Sequence, residues 1–502
     1  MLLDRFSFGP RPGEVEQVVE TGLARWFEQQ LAAVADEAEL DKRLGAYPAL
    51  RMTPQELFGR FPAGGQSTAH ARRFFDLVPP ADTPVDSAWA SRRLERFRAE
   101  QGYRSQEDDL YQELTGQKVV RAAYAQNQLA ERLTDFWQNY FYVTSSNFRS
   151  RPWVLSYESE AIRPNALGDF RTLLGASARH PARVQATLGD ARKAAVSEAE
   201  TTMGLALAKL DKATVETLRR QLAKIDMEED LLLQRRFWPE SGPNTEYARL
   251  LLQQTIGAEA CTPNDLQDVA RIFTGWSTLP YGCDERWFAG GFADAKVAGF
   301  VQDGSFVFRA DRHDAKAKQA LGLRFAAGGG VEEGERLLDV LAKHPATAQH
   351  IARALAEEFV GAEPDKALVQ AMAATFRSSN GDLRAVLRTL VQTKEFWVQA
   401  AARRKVKSPF EYAVSALRAS QAEVSDARVL TRQIANMGQP LYAYLDSNGV
   451  PSGKQWIAGG NLATRVQFAL DLGEDRIAGV RVPAASTQRL ALELAGPQFQ
   501  LR

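Results

Sequence analysis

Histidine and cysteine are scarce, at five and two residues in a chain of 502. A multi-histidine metal site or a disulfide-stapled scaffold has little to be built from, and neither a metal nor another cofactor is expected. An excess of one charge is lacking too, because 62 Lys and Arg face 62 Asp and Glu. A protein held on nucleic acid by phosphate neutralisation carries a basic surplus, so no nucleic-acid partner is expected. No apolar run approaches the roughly 18 residues that span a bilayer, so no transmembrane segment is expected. Met1 to Pro10 show no basic stretch, apolar core or small-residue cleavage site of a leader. Phosphate-binding loops are missing as well. Gly328-Gly329-Gly330 precedes a helical pattern without the Lys-Ser/Thr of a P-loop, and no Gly-x-Ser-x-Gly elbow occurs. What is present is ordinary for a globular chain: 45% hydrophobic and 25% charged residues.

Helical periodicity dominates. Val15, Val18 and Val19 follow Pro12-Gly13, and Leu23, Trp26, Phe27 and Leu31 share one face of a second short helix. Gln117 to Tyr142 reads as one amphipathic helix that turns aromatic at its C-terminal end. Thr262-Pro263-Asn264-Asp265 is a helix start, with a capping Thr, Pro at the first position and a carboxylate three residues on. The expected fold is all-α: a multi-helix array with a loop-rich aromatic and glycine insertion over about 276–310, including a short hairpin. A helical hairpin is expected to protrude over about 191–236. Residues 1–502 read as a single unit, with sub-regions 1–190, 191–236, 237–400 and 401–502. Cys261 and Cys283 could pair in an exported protein or remain buried thiols.

The polar candidates lie in apolar surroundings. Asn139, within Phe136-Trp137-Gln138-Asn139-Tyr140-Phe141, either ties helices together or faces a cleft, since a buried amide needs partners. Arg163, before Pro164, forms a buried ion pair or orients a ligand. His313-Asp314 is a candidate catalytic pair, because a His beside a carboxylate suits general acid/base work. Asp265 or Glu160 would supply a further acid, although capping already accounts for Asp265. Trp276, Tyr281 and Trp287 either form a platform for sugar rings or fill the core.

Taken in order, several segments resemble the bacterial family called domain of unknown function 1800. They are Leu3 to Pro10, Phe136 to Phe141, Ile162 to Phe170, His180-Pro181-Ala182, Asn244 to Arg249, Asp265 to Trp276 and Arg312-His313-Asp314. His344 to Thr347, Gly381 to Arg384 and Gln439 to Tyr442 complete the series, which covers nearly the whole chain. The resemblance implies export from a bacterial cell, a periplasmic or outer location and an exported protein or glycan as partner. Cytoplasmic placement is the alternative, and the oligomeric state is left open. It also points to Asn139, Arg163, Asn244, Tyr247, Arg271 and Trp276 as binding residues.

This chain departs from the family pattern where His-Asn-His would follow Phe-Trp, for it carries Gln138-Asn139-Tyr140. The helix after Tyr247-Ala248-Arg249 reaches Gln253-Gln254 without the family's Glu and His. Gln hydrogen-bonds but neither titrates nor readily binds a transition metal. The expectation is therefore a catalytically altered or non-catalytic member that binds a partner in the envelope. A hydrolase of envelope polysaccharide acting through His313, Asp314, Arg163 and Arg271 is the alternative, and a purely structural scaffold is the third reading.

Overall fold

A computed structural model describes the chain except residues 33–36, 63–66, 68–70, 72–88, 147–149, 187–242, 280–297, 403–404, 445–450, 452 and 484–486. The helical hairpin expected over 191–236, Tyr281, Trp287 and Cys283 lie outside the described residues. Among the described residues the fold is mostly helical, with only small sheets of two or three strands. Among the described residues no helix is long and apolar enough to cross a membrane.

Local sequence chemistry sets most helix ends. Thr262 accepts a hydrogen bond from the Asp265 amide while Asp265 accepts from the Thr262 amide, a reciprocal cap that opens helix Pro263–Ile272. Ser408 and Glu411 do the same for helix Pro409–Ser420. His180 ends helix Phe170–Arg179, and Pro181 starts the next helix at its first position, where the missing amide hydrogen is no loss.

The single helix expected from Gln117 to Tyr142 is two helices, Tyr111–Tyr124 and Gln128–Tyr140. Asn127 decides the break, since its side chain accepts from the Ala130 amide and caps a new helix instead of extending the old one. The apolar residues near the start are only partly inward: Val18 is buried, but Val15, Val19 and Leu23 are exposed. The aromatic segment does contain a hairpin. Val301–Asp303 and Phe306–Phe308 pair antiparallel, and Trp276–Thr278 adds to the other edge of Phe306–Phe308. A second hairpin, Lys318–Ala320 with Leu323–Phe325, has no counterpart in the helical reading.

One hydrophobic cluster runs from Leu2 to Leu494 and joins early and late elements. Phe6 is fully enclosed, with its ring 4.7 Å from that of Phe359, 5.0 Å from Phe27 and 5.7 Å from Phe396. Beside it, Arg5 donates to the Val360 and Ala400 carbonyl oxygens at 2.9 and 3.1 Å. Arg418 returns the contact by donating to the Gly9 carbonyl at 2.6 Å and to Glu14 at 2.9 Å.

Candidate functional site

Helix Gln128–Tyr140 packs its apolar face inward, and Glu131, Asp135 and Asn139 recur every fourth residue along another face. Helix Tyr111–Tyr124 places Gln117, Lys118 and Arg121 opposite them. The next element, Tyr157–Ile162, is wound as a π-helix, a form often found at functional sites, and brings in Glu158. Arg163 follows at once.

These residues form one network. Arg163 bonds Glu131 through Nη1 and reaches Glu158 at 2.8 Å through Nη2. Lys118 Nζ lies 2.7 Å from Asp135 and 3.8 Å from Glu158. Asn139 donates to Asp135 at 3.2 Å. Gln117 donates to Glu158 at 3.2 Å and accepts from Arg121 at 2.9 Å. The Tyr442 hydroxyl donates to the remaining Glu158 oxygen. Tyr442 holds this place from a left-handed backbone with φ of 58°, which costs a residue with a side chain about 1–2 kcal/mol.

Lys118, Arg121 and Arg163 balance Glu131, Asp135 and Glu158. Burial pushes the Glu158 carboxyl up, but Lys118, Arg163 and Tyr442 outweigh it and hold it at about 2. Burial, then the Glu158 charge, drives the Tyr442 phenol well above its ordinary value. Near neutral pH Glu158 is therefore held as the carboxylate and Tyr442 as the phenol. The network grades outward, from a Glu158 side chain 3% exposed to an Arg163 side chain 20% exposed.

A second assembly surrounds helix Pro263–Ile272. Arg271 pairs with Asp314 at 2.7 Å and Asp268 at 2.6 Å, and donates to the Ala317 carbonyl at 3.2 Å. His313 is enclosed, with its side chain 1% exposed. Its Nδ1 lies 2.7 Å from the Thr274 carbonyl oxygen, which can only accept, so Nδ1 carries the hydrogen. Its Nε2 faces Glu333 at 3.1 Å and Lys318 at 3.3 Å, and Lys318 bonds the same Glu333 oxygen at 2.6 Å. This triad joins strand Lys318–Ala320 to helix Val331–Lys343.

Trp276 is equally enclosed, edge-on to Phe273 and Phe306 at 4.9 Å, so it fills core and does not stand as a sugar platform. Tyr247 packs on Phe273 and donates to the Ala178 carbonyl at 2.8 Å. Asn244 caps helix Thr245–Gln253 by accepting from the Tyr247 amide.

The sequence candidates thus fall into two groups, with Asn139 and Arg163 in the first and Arg271, Trp276, His313 and Asp314 in the second. Asp265 is committed to its cap and to the Leu321 amide at 2.6 Å. Glu160 is largely exposed, 4.0 Å from His180. Lys118, Glu131, Asp135 and Glu158 escaped the reading of the sequence, and Tyr442 entered it only within the family series, although the four-residue spacing of Glu131, Asp135 and Asn139 was visible there.

The model of the family "Protein of unknown function (DUF1800)" matches residues 1–501. The chain belongs to this family. No curated protein and no solved structure matches it. Three positions expected to differ from other DUF1800 members have clear surroundings. The Tyr140 hydroxyl donates to the Gln254 carbonyl at 2.8 Å, and the Gln254 side chain donates back to the Tyr140 carbonyl at 2.9 Å. Arg183 donates to the Gln254 side-chain oxygen at 2.6 Å. Gln138 is buried with neither amide atom bonded to a described protein group.

Proposed function

We propose that this DUF1800 member is an exported cell-envelope protein that binds a protein or glycan partner and does not catalyse its conversion. The observation that carries this reading is the Glu158 carboxyl, enclosed and paired within the Arg163 network. An acid/base catalyst needs a group able to gain or lose a proton near its working pH. Glu158, the most enclosed carboxylate of the network, is held at about 2 by fixed cations. His313, the histidine best placed for such work by sequence, is sealed among Thr274, Glu333 and Lys318. The neutral exchange between Tyr140 and Gln254 supports the same reading at positions where the family resemblance leads one to expect titratable groups.

Binding needs less. Arg163 and Asn139 sit at the half-buried rim of a rigid, neutral network and present fixed donors and acceptors. Such an arrangement suits the hydroxyls of a glycan or the amides of a peptide. The envelope location rests on the family resemblance.

The test is retention of envelope polysaccharide and envelope protein fractions by the full chain, beside Asn139→Ala. The expected result is saturable retention of one fraction, at least tenfold weaker in the variant, with no new reducing ends. Reducing ends that disappear with His313→Gln or Asp314→Asn would install the hydrolase reading instead. Absence of both retention and cleavage would leave the structural scaffold.

A further inference from the structure

The N-terminal turn Ser7–Gly9 closes over a second concentration of charge, independent of the reading above. Arg132 from helix Gln128–Tyr140 bonds both Glu358 and Glu411. Arg502 bonds the same two carboxylates, at 2.9 and 2.7 Å. Lys405 reaches Glu358 at 2.8 Å. Three cations therefore share two carboxylates. Arg5 adds a fourth positive charge close by, and its hydrogen bonds go to carbonyl oxygens and not to an acid.

Burial and then the Arg502 charge lower Lys405 to about 8 and Arg5 to about 10. These are the signatures of like charges crowded away from water. Asp4 stands at the edge as one further carboxylate.

Two observations mark the place where a ligand belongs. The cluster borders a cleft open to solvent between Ser7, Gly9, Arg132, Lys407 and Arg502. Nη1 and Nε of Arg502, with Nε of Arg132, are enclosed yet bond to no described group. Both side chains are only 2% exposed. A buried guanidinium hydrogen without an acceptor forfeits its hydration, and uncompensated buried charge costs more.

We propose that this cleft binds a small oxyanion, a carboxylate or phosphate group, whose oxygens accept from Arg502 and whose charge offsets the surplus of cations. Guanidinium groups suit these ligands because their planar forks match paired oxygens. Lys407, bonded to Ser415 at 2.7 Å and lining the same cleft, contributes charge from the other wall.

The full chain is titrated with sodium acetate and, separately, with inorganic phosphate, against sodium chloride at matched ionic strength, while the melting temperature is followed. A ligand that binds only the folded state raises that temperature saturably. The expected result is a saturable rise with one of the two oxyanions beyond the chloride control. Arg502→Gln should weaken apparent binding at least tenfold, and Lys407→Met several-fold. Saturation by acetate alone assigns a carboxylate, and saturation by phosphate alone assigns a phosphate. If neither anion outperforms chloride, or if both variants respond like the parent chain, the proposal falls. Should Arg502→Gln fail to fold, Lys407→Met decides: an unchanged response in that variant overturns the site.

Discussion

Glu158 stands between two opposed pressures, and their balance sets the acid response of the site. Its folded value of about 2 lies below the ordinary 4.5. A depressed carboxylate stabilises the fold fully above pH 4.5 and loses that contribution as pH falls toward 2. The shift corresponds to about 3 kcal/mol. Glu158→Gln should therefore lose about that much stability at pH 7, and its deficit against the parent should shrink by pH 3. Urea unfolding at the two pH values reads this directly, and an equal deficit at both would refute the assignment.

His180 acts in the same pH direction by another route. Burial lowers it from 6.5 to about 3, so the unfolded chain takes up a proton that the folded chain refuses. Stability should fall from pH 6.5 downward through this group, and His180→Phe should flatten that slope in the same unfolding series. Single residues were only partly legible in the sequence. Asn139 and Arg163 stood out through their apolar neighbours, whereas Glu158 gained its meaning from Lys118 and Tyr442, 40 and 284 positions away.

At the scale of elements, helix starts were the legible part, because caps depend on residues three apart. Thr262→Ala should cost about 1 kcal/mol, the usual worth of an N-cap, measured as a lower urea midpoint. The strands were poorly legible for the opposite reason. Each of those around the aromatic segment has three residues, too few for an alternating pattern, and Val301–Asp303 is exposed throughout. Helix Val331–Lys343 shows how tertiary packing reverses a local rule. Gly334→Ala would favour an isolated helix by up to about 1 kcal/mol. Here the added methyl would lie 2.4 Å from Trp276 Cζ2, part of a rigid ring already held by Phe273 and Phe306. The substitution should instead destabilise by about 1–3 kcal/mol, the usual range for overpacking. A raised melting temperature would contradict the packing described.

Across the whole molecule, the interlock around Phe6 supports the proposal that residues 1–502 behave as one unit. Phe6→Ala removes a ring shared by Phe27, Phe359 and Phe396 and should cost about 3–5 kcal/mol. Circular dichroism and tryptophan fluorescence should then shift together to the same lower midpoint. Two separated transitions would divide the unit. Helix-rich composition made the fold class legible, but nothing in the spacing of Phe6 announced partners more than 350 residues later.

That separation bears on the order in which the molecule can be made. The segment holding Arg5 and Phe6 leaves the ribosome before its carbonyl acceptors at Val360 and Ala400, which follow 355 and 395 residues later. Contacts of such long sequence separation form late and slow folding. Until they form, Phe6 and the charges near Arg132 remain open to other chains, as in many large folding intermediates. The closure that joins these distant segments therefore doubles as a delay in completing the core.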